Sequence, residues 1–326
     1  MRLFQYQRAV GIDDALRAGA VDDAAFLAGG TSLVDLMKLE VLNPARLVDV
    51  GRLELTRIES EGDGLRIGAL ATNSDVAENA EVQEKLPALS EALLSGASGQ
   101  IRNAATVGGN LLQRTRCAYF RDLATACNKR LPGAGCDALQ GWTRMHAILG
   151  TSDHCIAAHP SDMCVALAAL DATVRVRGAS GQRDLPFAGL HLLPGDHPEL
   201  EFALAPGELI TSVFVPATPQ AARSRYVKVR DRASYAFALA SCAAALHVDG
   251  GRIRAAGLAL GGVGTKPWRV PEAEAALVGK APSDQVFARA AEIALRGART
   301  RPDNAFKVVL ARRTAVRALR RAAEAA

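Results

Sequence analysis

The chain has 326 residues, 49% of them hydrophobic and 22% charged, so it is an ordinary globular protein with core material enough to fold without disulfides. Its net charge of +5 comes largely from residues 311–321, where Arg312, Arg313, Arg317, Arg320 and Arg321 share a helical pattern with Val316 and Leu319. No recognition motif or interleaved aromatics accompany that charge, no run approaches the roughly eighteen apolar residues of a membrane span, and the N-terminal stretch lacks an apolar signal core, so neither a nucleic-acid partner, a membrane span nor an export signal is expected.

In chain order, a helix is predicted at 13–20, then an apolar strand at 24–28 that ends in Gly29-Gly30-Thr31-Ser32. Residues 33–39 follow as an amphipathic helix, with Thr31 or Ser32 available as N-cap. A strand falls at 47–50. Residues 55–58 and 65–70 flank Glu61-Gly62-Asp63-Gly64 and predict a hairpin. The pattern at 73–94 is mainly helical. A second glycine turn, Thr106-Val107-Gly108-Gly109-Asn110, leads into 114–155, which is rich in Arg, Gly, Cys and Asn and shows little periodicity. A loop of that length needs something to bind it together. Then come a helix at 161–170, a strand at 172–177 and a turn at 178–181; 216–222 (PATPQAA) reads as a linker. Beyond it, 226–229, 240–248 and 252–260 predict strands with a hairpin at Asp249-Gly250-Gly251, and 271–277, 283–297 and 305–325 predict helices. About two domains result, in keeping with roughly 150 residues per domain.

Both glycine turns suit phosphate binding: glycines permit positive φ and close backbone approach, and successive N–H groups at a helix start can hold a pyrophosphate. Neither is a GxGxxG fingerprint, and each is equally a tight structural turn. Together AGGTSL and RNAATVGGNL resemble the FAD-binding subunits of the molybdenum hydroxylases, which include flavin subunits of xanthine dehydrogenase, carbon monoxide dehydrogenase and periplasmic-type aldehyde oxidoreductases. The resemblance runs through His159-Pro160-Ser161-Asp162-Met163 and Lys228-Val229-Arg230 to 261–268 (GGVGTKPW), essentially the whole chain.

That resemblance implies an α+β fold: an FAD-binding domain at 1–216, made of two subdomains of vanillyl-alcohol-oxidase (PCMH) type, and a smaller C-terminal α+β domain at 223–326. It implies that Leu27, Ala28, Gly29, Gly30, Thr31, Ser32 and Leu33 wrap the pyrophosphate, and that Thr106, Gly108, Gly109 and Asn110 add a second contact loop. Asp162 is implied to bind a polar part of the flavin nucleotide, and Ile210 and Lys228 to lie near the isoalloxazine. Without the resemblance, Asp162 is an ordinary helix-start charge and Lys228 a solvated strand residue.

Six cysteines remain to be placed. Cys164 and Cys242 sit in apolar runs and read as core. Cys117, Cys127, Cys136 and Cys155 crowd one polar stretch, which favours a metal site over a disulfide framework. Their separations of nine, eight and eighteen residues match neither zinc-ribbon pairs nor the bacterial ferredoxin run, so spacing leaves the metal open. Arg114, Arg116, Arg121, Lys129, Arg130 and Arg144 surround them and are expected to favour thiolates. Within 114–157 the segments CAYFRD, CNKRLPGAGCDA and HAILGTSDHCIA are similar to the aldehyde oxidoreductase branch, which implies a [4Fe–4S] cluster on the four cysteines. His146, His154 and His159 are expected in solvated or hydrogen-bonding roles.

No nucleophile elbow, HExxH or trusted carboxylate pair is present, as suits a subunit whose chemistry belongs to cofactors. The resemblance implies an electron-transfer subunit of a heterotrimer that oxidises an aldehyde. Partner subunits would carry the molybdenum cofactor and two [2Fe–2S] clusters, and electrons would leave FAD for an external acceptor. Rival readings are the flavin subunit of another molybdenum hydroxylase or of a CoA-thioester reductase and, more remotely, a non-redox zinc-binding scaffold. The expected location is the periplasm, reached with a partner bearing a twin-arginine signal, and otherwise the cytoplasm.

Overall fold

In the computed structural model, which describes residues 1–325, the chain begins with a small parallel sheet. Strands β1 (Gln5–Arg8), β2 (Ala24–Leu27) and β3 (Arg46–Asp49) lie in the order β1-β3-β2, joined by helices α1 (Ile12–Gly19) and α2 (Leu33–Lys38). Helix α1 lies on β2 because Gly19 carries no side chain; a Cβ there would sit 2.3 Å from the Phe26 ring. Sequence reading placed no strand at β1, since four residues (QYQR) are too few and too polar to show a period.

The second sheet is antiparallel and five-stranded, in the order β4-β5-β8-β6-β7. Its strands are β4 (Ile58–Glu61), β5 (Gly64–Gly68), β6 (Thr173–Gly178), β7 (Gly181–Pro186) and β8 (Leu209–Pro216). Between β5 and β6 run α3 (Asn73–Glu78), α4 (Ala80–Lys85), α5 (Pro87–Ser95), α6 (Gly99–Arg102), α7 (Val107–Leu111), α8 (Ala118–Arg121) and α9 (Asp162–Ala169). The hairpin has slid along the chain relative to expectation: its first arm is 58–61, and Gly62 at φ +58° makes the reversal. Leu55 is used elsewhere, its carbonyl accepting from Leu70 N–H at 2.8 Å and crossing close over Gly68. Strand β8, also unplaced from sequence, sits at the centre of the sheet. Its β-branched run LITSVFVP is a strand signal, but nothing local announces its pairing with residues 64–68.

A four-stranded antiparallel sheet follows, β12-β11-β10-β9, from β9 (Arg225–Val229), β10 (Ala240–Asp249), β11 (Arg252–Gly261) and β12 (Trp268–Arg269). Helices α10 (Pro271–Ala275), α11 (Asp284–Ala294) and α12 (Phe306–Glu324) belong to the same unit. Strand β10 is buried on both faces. Ala243 and Ala245 join the core of the preceding domain, while Cys242, Ala244 and Leu246 face the core beneath α11 and α12. Hence its continuous apolar run instead of alternation. Small residues let the layers close: a Cβ on Gly257 would stand 2.2 Å from the Ala169 carbonyl oxygen. Every residue of α9, beneath that contact, is buried.

The stretch 216–222 is no free linker. Pro216 ends β8, Ala221 is buried in a 3-10 turn at Ala221–Arg223, and the Ser224 hydroxyl accepts from Ala88 N–H at 3.1 Å. The change of sheet falls there nonetheless. The C-terminal arginines line an exposed face, as expected, and Arg320 pairs with Asp284 of α11 at 2.6 Å. Residue 326, the end of the expected second domain, lies outside the described residues.

One buried charge in this domain sets a pH dependence. Lys307, wholly inaccessible in α12, donates to the Gly262 carbonyl at 2.8 Å. Burial, with a smaller push from Arg144, drives its ammonium down to about 7 from an ordinary 10.5. The folded state therefore releases this proton near pH 7, while the unfolded chain holds it to about 10.5. Across that window the unfolded state binds more protons, so this residue's contribution makes stability rise with pH. Denaturant unfolding of Lys307→Met beside the parent should show the gap shifting in the parent's favour, by on the order of a few kcal/mol, from pH 7 to 10. A pH-independent gap would show that Nζ keeps its proton in the fold.

Candidate functional site

The two glycine turns meet. A Cβ on Gly29 would lie 1.7 Å from the Ala104 carbonyl oxygen, so glycine here lets the loop after β2 press against the loop before α7. Gly30 supplies the positive φ, +70°. Gly108 and Gly109 lie in the first turn of α7, where the Thr106 hydroxyl accepts from Gly109 N–H at 3.2 Å. The expected N-cap of α2 is Ser32, without a side-chain cap bond.

Around this junction lie two cavities, about 220 and 620 Å³. The smaller is lined by Ala28, Gly29, Gly30, Leu33, Thr106, Gly108 and Ile210. The larger is lined by Asn110, Asp162 and Lys228. Thr31, Ser32 and Gly109 line both and form the waist between them. This elongated, pinched cleft suits a dinucleotide, with the waist at the starts of α2 and α7. Leu27 stays below in β2, its carbonyl taken by Val50 N–H at 2.9 Å, and lines neither cavity. Ile210 lines the smaller cavity and Lys228 the larger. The two residues stand on different sheets, a placement no sequence spacing reveals.

Nor is Lys228 a solvated strand residue. Its Nζ donates to Asp162 Oδ2 at 2.7 Å and to the Ser95 carbonyl at 3.1 Å, with the pair's side chains only 4% and 9% exposed. Asp162 Oδ1 accepts from Tyr226 OH at 2.6 Å, and burial with the carboxylate holds that phenol well above its usual range. Asp162 is the first residue of α9, behind a Ser161 cap that accepts from Cys164 N–H at 3.1 Å.

The larger cavity adds residues that sequence reading did not assign to the cleft: Asn73, Arg102, Arg116, Tyr235 and Phe237. The buried Asn73 Oδ1 has no partner within the chain, an acceptor left for something in the cleft. Tyr235 and Phe237 come from the loop between β9 and β10, polar and aperiodic in sequence and without any local signal.

Cys117, Cys127, Cys136 and Cys155 line one cavity. Cys117 opens α8, and Cys127 and Cys136 face each other across an isolated β-bridge. The surrounding cations do not create thiolates. Burial dominates, pushing Cys117 up to about 12 and raising Cys136 and Cys155 as well, with Lys129 only partly opposing it at Cys155. Most of those cations are engaged elsewhere: Arg114 and Lys129 with Glu201, Arg121 with Asp35, Arg144 with Asp231, Arg130 with the Tyr119 and Phe120 carbonyls. A bound metal would favour the thiolate at Cys117, Cys136 and Cys155 against that burial.

A single zinc ion would draw four sulphurs to about 3.8 Å of one another, from Zn–S near 2.3 Å in a tetrahedron. Among the described residues, only His159, Cys164 and His191 bring three candidate ligand atoms within 4.8 Å of each other. The four loop cysteines share one cavity, and four thiols as a donor set suit zinc or an iron–sulfur cluster alike.

The loop is less structureless than expected. Phe120 and Cys127 pack with Leu36 of α2 in a small apolar cluster. Ile148 and Leu149 enter the C-terminal core, their N–H groups donating to the Val263 carbonyl. Only His154 of the three histidines is solvated. His146 is buried with Nε2 3.2 Å from Cys117 Sγ and is pushed down to about 4 by burial; His159 is half-buried, edge-on against His191. Cys164 and Cys242 are fully buried, as expected.

Residues 2–218 match the FAD binding domain in molybdopterin dehydrogenase, and 225–322 match the CO dehydrogenase flavoprotein C-terminal domain. The chain is 50% identical over 320 residues to the aldehyde oxidoreductase FAD-binding subunit PaoB of Escherichia coli K12, covering 96% of each. It is 31% identical to the glyceraldehyde dehydrogenase medium chain of Sulfolobus acidocaldarius, over 87% of this chain and 84% of that one. Its fold superposes on a chain of the reconstituted CO dehydrogenase from Oligotropha carboxidovorans with a TM-score of 0.79 at 25% identity, covering 100% and 99% of the two chains.

Proposed function

The chain belongs to the FAD-binding subunits of the molybdenum hydroxylase family, and from that premise we propose that it is the flavin and iron–sulfur subunit of an aldehyde oxidoreductase. In this reading a molybdenum-cofactor subunit and a [2Fe–2S] subunit complete a heterotrimer. Electrons from aldehyde oxidation pass to FAD on this chain and out to an external acceptor. The 50% identity with an aldehyde oxidoreductase FAD-binding subunit, along almost its full length, carries the proposal. The cluster assignment has its own support in the four sulphurs around one cavity.

FAD, when bound, supplies the redox chemistry itself. The chain's task is to hold and orient it. In this reading, the waist residues Thr31, Ser32 and Gly109 hold the diphosphate, with backbone N–H groups at the starts of α2 and α7 as donors. Asn73 Oδ1 is left to accept a hydrogen bond from the ligand, and Tyr235 and Phe237 wall the larger cavity. Cys117, Cys127, Cys136 and Cys155 would hold a [4Fe–4S] cluster, whose binding supplies the deprotonation that burial opposes.

An absorption spectrum of the purified chain is the direct test. Flavin bands over a broad iron–sulfur shoulder are expected, with about four iron atoms per chain. Flavin with zinc and no iron would retire the cluster, and neither flavin nor iron would retire the reading as a whole.

A further inference from the structure

Of the cations lining the larger cavity, Lys228 is bound to Asp162 at 2.7 Å and Arg121 to Asp35 at 2.8 Å. Arg102 is held at the rim by the Gly96 carbonyl at 2.8 Å. Arg116 differs. It projects from the residue before Cys117, stacks over the Phe237 ring at 5.2 Å, and donates only to the carbonyl of Arg114. Asp35, whose charge it feels, already belongs to Arg121, and that neighbouring guanidinium repels it. Arg116 is half-buried beside that guanidinium and has no carboxylate of its own. A desolvated guanidinium without a carboxylate is costly unless an anion completes it.

Its position says which anion. Arg121 is fastened to Asp35, one helical turn beyond Ser32, and Arg116 lies beside Arg121 on the same wall of the cavity. The doubly charged diphosphate of FAD would pass at Thr31, Ser32 and Gly109, the waist shared by both cavities. We propose that Arg116 binds the FAD diphosphate, clamping the flavin nucleotide from the cysteine loop with Phe237 as its backing. The inference rests on FAD threading that waist. The cysteine loop then becomes part of the flavin site, and the chain position next to a proposed cluster ligand gains a second purpose. A planar, forked donor suits a phosphate oxygen pair better than an ammonium does.

The test measures FAD affinity and iron content of the full-length chain and its variants. Arg116→Gln should weaken FAD binding about 10- to 100-fold with iron unchanged. It should also flatten the salt dependence of binding, which loss of mere packing would not do. Arg116→Lys, which keeps the charge, should recover part of the loss. Unchanged affinity in Arg116→Gln overturns the proposal, as does a lysine variant no better than glutamine. So does loss of iron in Arg116→Gln, which would mean that the residue serves the loop and not the nucleotide. Failure of the parent chain to bind FAD would instead sink the functional reading beneath it.

Discussion

Serine at Cys117, Cys127, Cys136 or Cys155 is expected to remove essentially all of the about four iron atoms per chain that the proposed cluster would hold. Burial raises Cys117, Cys136 and Cys155 above the ordinary thiol range, so binding of the metal must offset the cost of deprotonating them. Losing one leaves the others poorer ligands. Alanine at Cys164 or Cys242, both wholly buried in the main cores, should leave iron unchanged. Proteolysis should follow the structure as well. Residues 148–149 are anchored through Val263 to the C-terminal domain, so cutting should concentrate near 122–135, where Leu123 and Leu131 are exposed. Because Leu36 of α2 packs on Phe120 and Cys127, flavin affinity should fall modestly in the same variants. Elemental analysis of all six variants decides the matter: iron kept in any of the first four, or lost in the last two, names the wrong ligands.

Lys228→Met should cost about 3–5 kcal/mol of stability in the flavin-free protein, because it strands the Asp162 carboxylate in a buried site. Tyr226 OH remains to donate to that carboxylate and keeps the loss from being larger. Replacing both partners, Asp162→Leu with Lys228→Met, should recover much of it, since no unpaired charge is left behind. Denaturant unfolding of the flavin-free forms measures this. A loss below about 1 kcal/mol would show the pair to be effectively solvated, like an exposed bridge. Lys228 would then matter chiefly as a flavin contact, visible only as lost FAD affinity.

The helices and most strands were legible because periodicity and punctuation are local. Ser161 before an apolar run, Gly250-Gly251 between two strands and the long amphipathic α12 each announce themselves within a few residues. The four cysteines were legible as a group because their neighbours in sequence are polar while Cys164 and Cys242 sit among alanines and leucines. The glycine turns were legible as backbone requirements, but not which requirement. Gly29 is glycine because the loop at 104–105 presses on it, a contact made by a segment some seventy-five residues away. The same limit hid the five-stranded sheet, whose central β8 pairs with a hairpin far upstream. It hid the Asp162–Lys228 pair. Charge was misread for a related reason. From sequence, six cations around the cysteines promise thiolates; in the fold Glu201, Asp35 and Asp231 claim most of them, and burial decides the thiols. Arg116 is left without such a carboxylate. Local pattern determines which elements form, because hydrogen-bond geometry repeats over three or four residues. Tertiary contact decides which polar groups are left unsatisfied at the cleft, because desolvation and pairing depend on everything within a few ångströms, whatever its distance along the chain.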